Sequence, residues 1–86
     1  MHDAAFLDVS ARLARALLRL AADEPGGGPP TTPRLTQSDL AGVVGTTRET
    51  LNKWLTIYER EGLLRREKGG IALLRPDELR RRAPGG

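Results

Sequence analysis

The side chains best suited to bind a charged ligand lie together at the start of one predicted helix: Thr47, Arg48, Glu49 and Lys53. The planar guanidinium of arginine suits both phosphate groups and guanine edges. Two short helices broken by one glycine, Gly45, span residues 35–64, and the polar cluster lies at the exposed beginning of the second helix. This pattern is typical of a helix-turn-helix that reads DNA.

The composition of the chain favours a small binding domain. Its 86 residues have room for one hydrophobic core. The absence of cysteine excludes disulfides, thiolate metal sites and thiol nucleophiles, and the one histidine, His2, is interpreted as a flanking residue. We therefore predict no enzyme activity, no cofactor and no metal site, because the sequence offers no nucleophile paired with a base and no ligand cluster. The formal net charge of +3 favours a polyanionic partner.

The N-terminal part of the chain predicts an amphipathic helix. Asp8 is suited to cap this helix, and Arg12, Arg15 and Arg19 are predicted to form a solvated charged face. The apolar residues recur at helical spacing on the other face: Val9, Leu13, Ala16, Leu17 and Leu20. Several acidic residues argue against a transit peptide, and no apolar run is long enough to span a bilayer. We therefore expect a cytoplasmic protein without membrane contact.

A segment rich in glycine and proline separates this helix from the next. Residues 23–33, DEPGGGPPTTP, contain no long apolar side chain and predict a mobile surface loop. Arg34 and Leu35 are candidates for a short strand. Thr36 is the predicted N-cap of a helix that begins at Gln37.

Two neighbouring helices with a tight turn between them are predicted next. Asp39 can complete a capping box at the start of the first helix, and Ala41 is small enough for a close helix crossing. Gly45 can adopt the positive φ of the turn, and Thr46 or Thr47 can cap the second helix. The predicted buried side of the first helix is Leu40, Val43 and Val44. That of the second is Leu51, Trp54, Leu55 and Tyr58.

The C-terminal part predicts a hairpin and a last short helix. Gly62 closes the second helix, with Leu63 as the apolar contact that folds back. The segment LLRREKGGIALL has two apolar runs around a turn of lysine and glycine, a pattern typical of a β-hairpin. The predicted fold class is therefore α+β, mostly α, a winged helix-turn-helix with a three-helix core and a small β-hairpin wing. The predicted organisation is a flanking or remnant segment 1–7, the domain 8–82 with its last helix at 76–82, and a flexible tail 83–86.

Residues 35–79 resemble the C-terminal DNA-binding domain of the CRP/FNR family of bacterial transcription regulators. The spacing of Ala41, Gly45 and Leu51 matches the general helix-turn-helix motif, and the segment GTTRETLNKWL is similar to the family's own version of it. The leading segment DVSARLARALLRLA resembles the helix that opens the same domain. The resemblance therefore covers most of the chain outside the loop and the ends.

The resemblance implies roles for the polar residues. Arg48, Glu49 and Lys53, in a recognition helix over about residues 47–61, would face the major groove and contact bases. An arginine can bind O6 and N7 of guanine, and a glutamate can accept from N4 of cytosine. Phosphate contacts are expected at the helix starts, on the recognition helix and in the wing, from Thr36, Gln37, Ser38, Thr47, Asn52, Arg66 and Lys68. Each of these residues also has a plainer interpretation, as a helix cap or a solvated charge.

The same resemblance implies double-stranded DNA as the partner. Members of the family also carry a cyclic-nucleotide-like sensor barrel and a long dimerisation helix, neither of which fits into 86 residues. We expect either an excised domain or a naturally short relative. A full-length parent would be a dimer, whereas the isolated domain would be a monomer or weak dimer that binds one half-site.

One alternative function uses the same fold. The winged helix would then be a protein-interaction module in which residues 37–61 dock RNA polymerase or a second copy of the chain. Its distinguishing feature would be an exposed apolar patch containing Trp54 or Tyr58. The spacing of Trp54 with Leu51 and Tyr58 instead predicts a core position for the indole.

Overall fold

The computed structural model describes residues 3–83, with side chains from residue 8 onward. His2 and residues 84–86 of the predicted tail lie outside the described residues. Within them the chain forms four helices and one two-stranded antiparallel sheet. In chain order the elements are α1 (Asp3–Leu20), α2 (Gln37–Val44), α3 (Arg48–Arg60), β1 (Leu64–Glu67), β2 (Gly70–Leu73) and α4 (Pro76–Arg82). The predicted class, a mostly helical α+β winged helix-turn-helix, is confirmed.

Helix α1 starts five residues before the predicted cap. It begins at Asp3, so the prediction that Asp8 is its N-cap is wrong. Asp8 instead accepts from Arg12 one turn later, with 2.6 Å between Oδ2 and Nη1. Arg12 is also less solvated than predicted, because its Nη2 donates to the carbonyl of Gly45 at 3.2 Å. An acid that precedes an apolar run can be either a cap or the first member of an i,i+4 pair, and the sequence pattern is the same for both.

Both predicted threonine N-caps of α2 and α3 are present, but the Asp39 carboxylate accepts no hydrogen bond within the described residues, so the predicted capping box is not completed. Thr36 Oγ1 accepts from the backbone N–H of Asp39 at 3.0 Å, and Thr47 Oγ1 accepts from that of Thr50 at 3.2 Å. Gly45 has φ 84°, the left-handed conformation that ends α2 and permits the tight turn into α3. The two short helices are therefore held at a defined angle by local interactions.

The buried face of α2 is rotated from the predicted one. Leu40, Ala41 and Val44 are buried, whereas Val43 is 58% exposed. Successive helical residues differ by about 100°, so Val43 and Ala41 lie on opposite flanks of Leu40. Helix α2 packs against both α1 and α3. The small Ala41 allows that approach, which turns Val43 out to solvent.

Helix α3 supplies the centre of the core. All four residues of its predicted inward stripe are buried: Leu51, Trp54, Leu55 and Tyr58. The Tyr58 hydroxyl is within 3.0 Å of the carbonyl of Ser10 on α1 and donates to it, and burial raises the pKa of Tyr58. The ring centroids of Trp54 and Tyr58 are 5.8 Å apart. The predicted core position of Trp54 is confirmed.

The end of α3 leads directly into the wing. Gly62 has φ 76°, and the N–H of Leu63 donates back to the carbonyl of Tyr58 at 3.0 Å, which is the predicted glycine closure. Strands β1 and β2 then pair in antiparallel register, with Glu67 opposite Gly70 across the turn. The predicted hairpin and the last helix, α4, are both confirmed.

The predicted strand at Arg34 and Leu35 is wrong, because the extended segment lies earlier in the chain. Thr32 N–H donates to the carbonyl of Ile71 at 2.9 Å, and Leu73 N–H donates to that of Pro30 at 2.8 Å. Residues 30–32 therefore run along the free edge of β2 and anchor the end of the loop to the wing. The prolines on either side of the two threonines suggested a break, yet proline is compatible with the edge of a sheet.

Candidate nucleic-acid interface

The three residues predicted to contact bases share the solvent face at the start of α3. Arg48, Glu49 and Lys53 are all exposed, opposite the buried stripe of the helix. Within the described part of the chain, none of the three makes a salt bridge or a side-chain hydrogen bond. Their charged groups are therefore available to a ligand, which is the condition that the sequence prediction required.

The predicted phosphate contacts at the helix starts lie at two neighbouring ends. Thr36, Gln37 and Ser38 are exposed at the start of α2, and Thr47 is exposed at the start of α3. The first backbone N–H groups of a helix have no partner inside it, and the helix dipole adds a partial positive charge there. Both ends therefore offer donors to an anion. Part of the hydrogen bonding of Thr36 and Thr47 is already used for capping.

The two cations predicted in the wing have different surroundings. Lys68 is exposed in the turn between the strands and makes no salt bridge within residues 8–83. Arg66 is half-buried and paired with Glu59 on α3, with 2.8 Å between Nη2 and Oε1 and 3.1 Å between Nε and Oε1. This guanidinium holds the pKa of Glu59 below its ordinary value. Sequence reasoning missed the pair.

Arg66 is the centre of a polar network that joins the wing to two helices. Besides Glu59, it donates from Nη1 to Asn52 Oδ1 at 2.9 Å and from Nη2 to Thr56 Oγ1 at 3.4 Å. Gln37 Nε2 also donates to Asn52 Oδ1, at 3.2 Å, and brings in the start of α2. Four of the five guanidinium N–H groups thus have acceptors within the chain. One remains for the predicted phosphate contact of Arg66.

A shallow depression shows how these residues meet. It is lined by Gln37, Arg48, Glu49 and Asn52. The lining brings together the first turn of α2 and the first two turns of α3, which are separated in sequence by the turn at Gly45. Donors from both helices therefore face one surface, as a DNA-reading site requires.

The described residues contain neither a cluster of metal-ligating side chains nor a helix able to cross a membrane. None of their aspartate and glutamate side chains forms a group of three that could hold a metal ion. Across residues 3–83, every helix is too short or too polar to cross a membrane.

The fold and this surface define the class of protein. It is a winged helix-turn-helix domain in which α3, the second helix of the motif, presents unpaired charged residues beside a hairpin. Residues 11–82 match the model of the Crp-like helix-turn-helix domain. The chain belongs to this family, whose members are DNA-binding transcription regulators.

Individual relatives agree with the family match. A CRP-like cAMP-activated global transcriptional regulator of Mycobacterium tuberculosis is 38% identical over 86 residues, an alignment that covers 96% of this chain and 38% of the relative. A solved CRP/FNR-family transcriptional regulator from Thermus thermophilus is 35% identical with a TM-score of 0.74, covering 86% of this chain and 39% of that one. The relatives are regulators rather than enzymes, as predicted for this chain.

A more distant solved structure supports the fold alone. The reduced CO-sensing protein from R. rubrum has a TM-score of 0.80 at 22% identity, over 95% of this chain and 39% of that chain. The chain thus spans about two fifths of the length of the relatives it matches.

Proposed function

We propose that this domain binds double-stranded DNA sequence-specifically to control transcription, with α3 in the major groove. The observation that carries the proposal is the exposure of Arg48, Glu49 and Lys53 on one helix face without internal partners. Arg48 would bind O6 and N7 of a guanine, and Glu49 would accept from N4 of a cytosine. Lys53, a compact point charge on the next turn of the helix, would make a less selective contact.

Phosphate contacts on either side would fix the register of α3. The starts of α2 and α3 and the turn of the wing supply the donors: Thr36, Gln37, Ser38, Thr47 and Lys68. Asn52 and the remaining N–H of Arg66 complete the set predicted from the sequence. Such contacts position a protein on the duplex and carry little base preference themselves.

The proposal extends to the assembly in which the domain works. Two half-sites one helical turn apart require two copies of α3, so a dimeric full-length parent would bind more tightly than this domain alone. RNA polymerase would be a second partner, and the cytoplasm would be the site of action. A sedimentation experiment on the isolated domain is expected to show a monomer or a weak dimer.

The alternative function, a protein-interaction module, is not supported by the exposure of the two aromatic residues on α3. It needed an exposed apolar patch with Trp54 or Tyr58, but their exposed fractions are 9% and 0%.

A fluorescence titration with duplexes of different sequence tests the proposal. Affinity should fall steeply as the salt concentration rises, because lysine and arginine side chains that bind phosphates release counterions from the DNA. Arg48→Ala should reduce the preference between the best and a mismatched site by about 1–3 kcal/mol. Lys53→Ala should weaken binding to all sites to a similar degree.

Arg60→Ala is the matched control. Arg60 is exposed on the same helix, but twelve residues from Arg48, which corresponds to about 18 Å along the axis. It should change affinity far less than Lys53→Ala does. Equal affinity of the wild type and Arg48→Ala for every duplex would refute base reading by α3.

A further inference from the structure

We propose that Asn52 is a specificity-determining residue whose side-chain amide is held with its NH₂ group toward the DNA, so that it selects keto bases over amino bases. This inference rests on the proposed function and deepens it. It replaces the phosphate contact that the sequence predicted for Asn52, which would carry no base preference, by a contact to a base.

The position of Asn52 suits a base contact. It is exposed on α3 four residues after Arg48, which is about one helical turn, and it lines the same depression as Arg48 and Glu49. Its side chain is therefore on the face that the proposed function places in the groove.

The orientation of the amide follows from its partners. Asn52 Oδ1 accepts two hydrogen bonds, from Arg66 Nη1 at 2.9 Å and from Gln37 Nε2 at 3.2 Å. A guanidinium is a donor at every nitrogen and cannot accept, so the atom that faces Arg66 must be the amide oxygen. The NH₂ group of Asn52 is then the amide group that has no partner at Arg66, and Asn52 is an exposed residue.

Arg66 is itself held in place. Glu59 accepts from its Nε and Nη2 and also from its backbone N–H, at 3.1, 2.8 and 3.2 Å. Thr56 Oγ1 accepts from Nη2 as well. The wing strand β1 thereby fixes, through Arg66, which chemical group of Asn52 a base would meet.

An amide fixed in this way distinguishes bases in the major groove. Guanine presents O6 and N7 and thymine presents O4, all of which accept from an NH₂ group. Cytosine presents an amino donor. Adenine presents N7 as an acceptor too, but its neighbouring N6 amino group needs an acceptor, and Oδ1 of Asn52 is already occupied by Arg66 and Gln37. We expect a preference for guanine or thymine at the base that faces Asn52.

Selection of bound duplexes from a random pool tests this orientation. The wild type should yield a half-site with one position where guanine and thymine exceed adenine and cytosine by about threefold to tenfold, the value of one hydrogen bond. Arg66→Met removes the obligatory donor, and the neutral amide of Gln37 can present either of its ends, so Asn52 is free to turn. The preference at that one position should then relax and adenine should be recovered.

Arg65→Met is the matched control. Arg65 precedes Arg66 on the same strand, is exposed and pairs with Glu67 instead of with α3. The Arg65→Met substitution removes the same charge, yet it should leave the base preference at the position that faces Asn52 unchanged. Circular dichroism and Trp54 fluorescence must show both variants folded, and if Arg66→Met unfolds, Asn52→Asp alone decides.

Asn52→Asp gives the sharper result. An aspartate has only acceptors, so with one oxygen on Arg66 the other should select amino bases and invert the preference at that position. If Asn52→Asp weakens binding to all sequences alike, Asn52 contacts a phosphate and the inference is overturned. A half-site that emerges without any keto preference overturns the inference and leaves the proposed function intact, whereas the absence of any half-site overturns both.

Discussion

Among the glycines of the described residues, Gly70 is the one at which substitution by alanine should lower the free energy of unfolding the most. It opens β2 with φ 139°, and a Cβ at this position would lie 2.0 Å from the carbonyl oxygen of Thr32. Neither atom belongs to a flexible side chain, so the clash can be relieved only by separating β2 from residues 30–32. Gly70→Ala should therefore detach the edge segment from the wing.

The size of the effect can be worked out from the contacts at risk. Three hydrogen bonds join the segment to β2, at 2.9, 3.0 and 2.8 Å, from Thr32 N, Ile71 N and Leu73 N. At about 0.5–1.5 kcal/mol each, their loss amounts to about 1.5–4.5 kcal/mol. The unfavourable φ adds about 1–3 kcal/mol. A total of about 3 kcal/mol or more is a large share of the roughly 4–13 kcal/mol expected for a domain of this size.

Two other glycines provide controls for this experiment. Gly69 lies in the same turn without a positive φ, and a Cβ there would meet nothing within 4 Å. Gly62 has φ 76° but also has open space around it, so alanine should cost only the left-handed conformation, about 1–2 kcal/mol. Urea unfolding followed by tryptophan fluorescence should rank the losses as Gly70 > Gly62 > Gly69. Equal stability of Gly70→Ala and Gly69→Ala would refute the close approach of Thr32.

Three further predictions concern the core and the wing. Tyr58→Phe should lower the free energy of unfolding by about 1 kcal/mol because the bond to Ser10 is lost, and an unchanged urea midpoint would contradict that link. Arg66 lowers the pKa of Glu59 from its usual 4.5, so the stability from this pair is complete above pH 4.5 and is lost as the pH falls below it. The free energy of unfolding of Glu59→Gln should therefore fall less than that of the wild type between unfolding curves measured above and below pH 4.5. The fluorescence of Trp54, whose side chain is buried, should resist quenching by iodide, and quenching like that of free tryptophan would indicate an exposed indole.

The elements of this fold could be predicted because their signals are local. The stripe of α3 repeats every three or four residues, and its cap Thr47 bonds to a residue three positions later. Gly45 and Gly62 adopt positive φ within a turn of the helices that they end. The exposed cluster at Arg48 follows from the same periodicity, because residues outside an apolar stripe face solvent.

Two of the wrong predictions, the buried face of α2 and the strand at Arg34 and Leu35, concern choices that only packing between distant segments could decide. Val43 and Ala41 are both suitable core residues, and the approach of α1 and α3 to α2 selected Ala41. The edge segment formed at Thr32 rather than at Arg34 because the free edge of β2, 39 residues later, accepts it there.

The amino-acid sequence by itself determined the helices, the hairpin and the free charges at the start of α3, since each depends on neighbours within a few positions. Only the tertiary structure decided what Arg66 does. Its partners Glu59, Asn52 and Thr56 lie 7, 14 and 10 residues away, on a helix that the turn at Gly62 folds back beside the wing. The physical reason is that the short range of a hydrogen bond makes it depend on where separate elements meet, which no local pattern encodes.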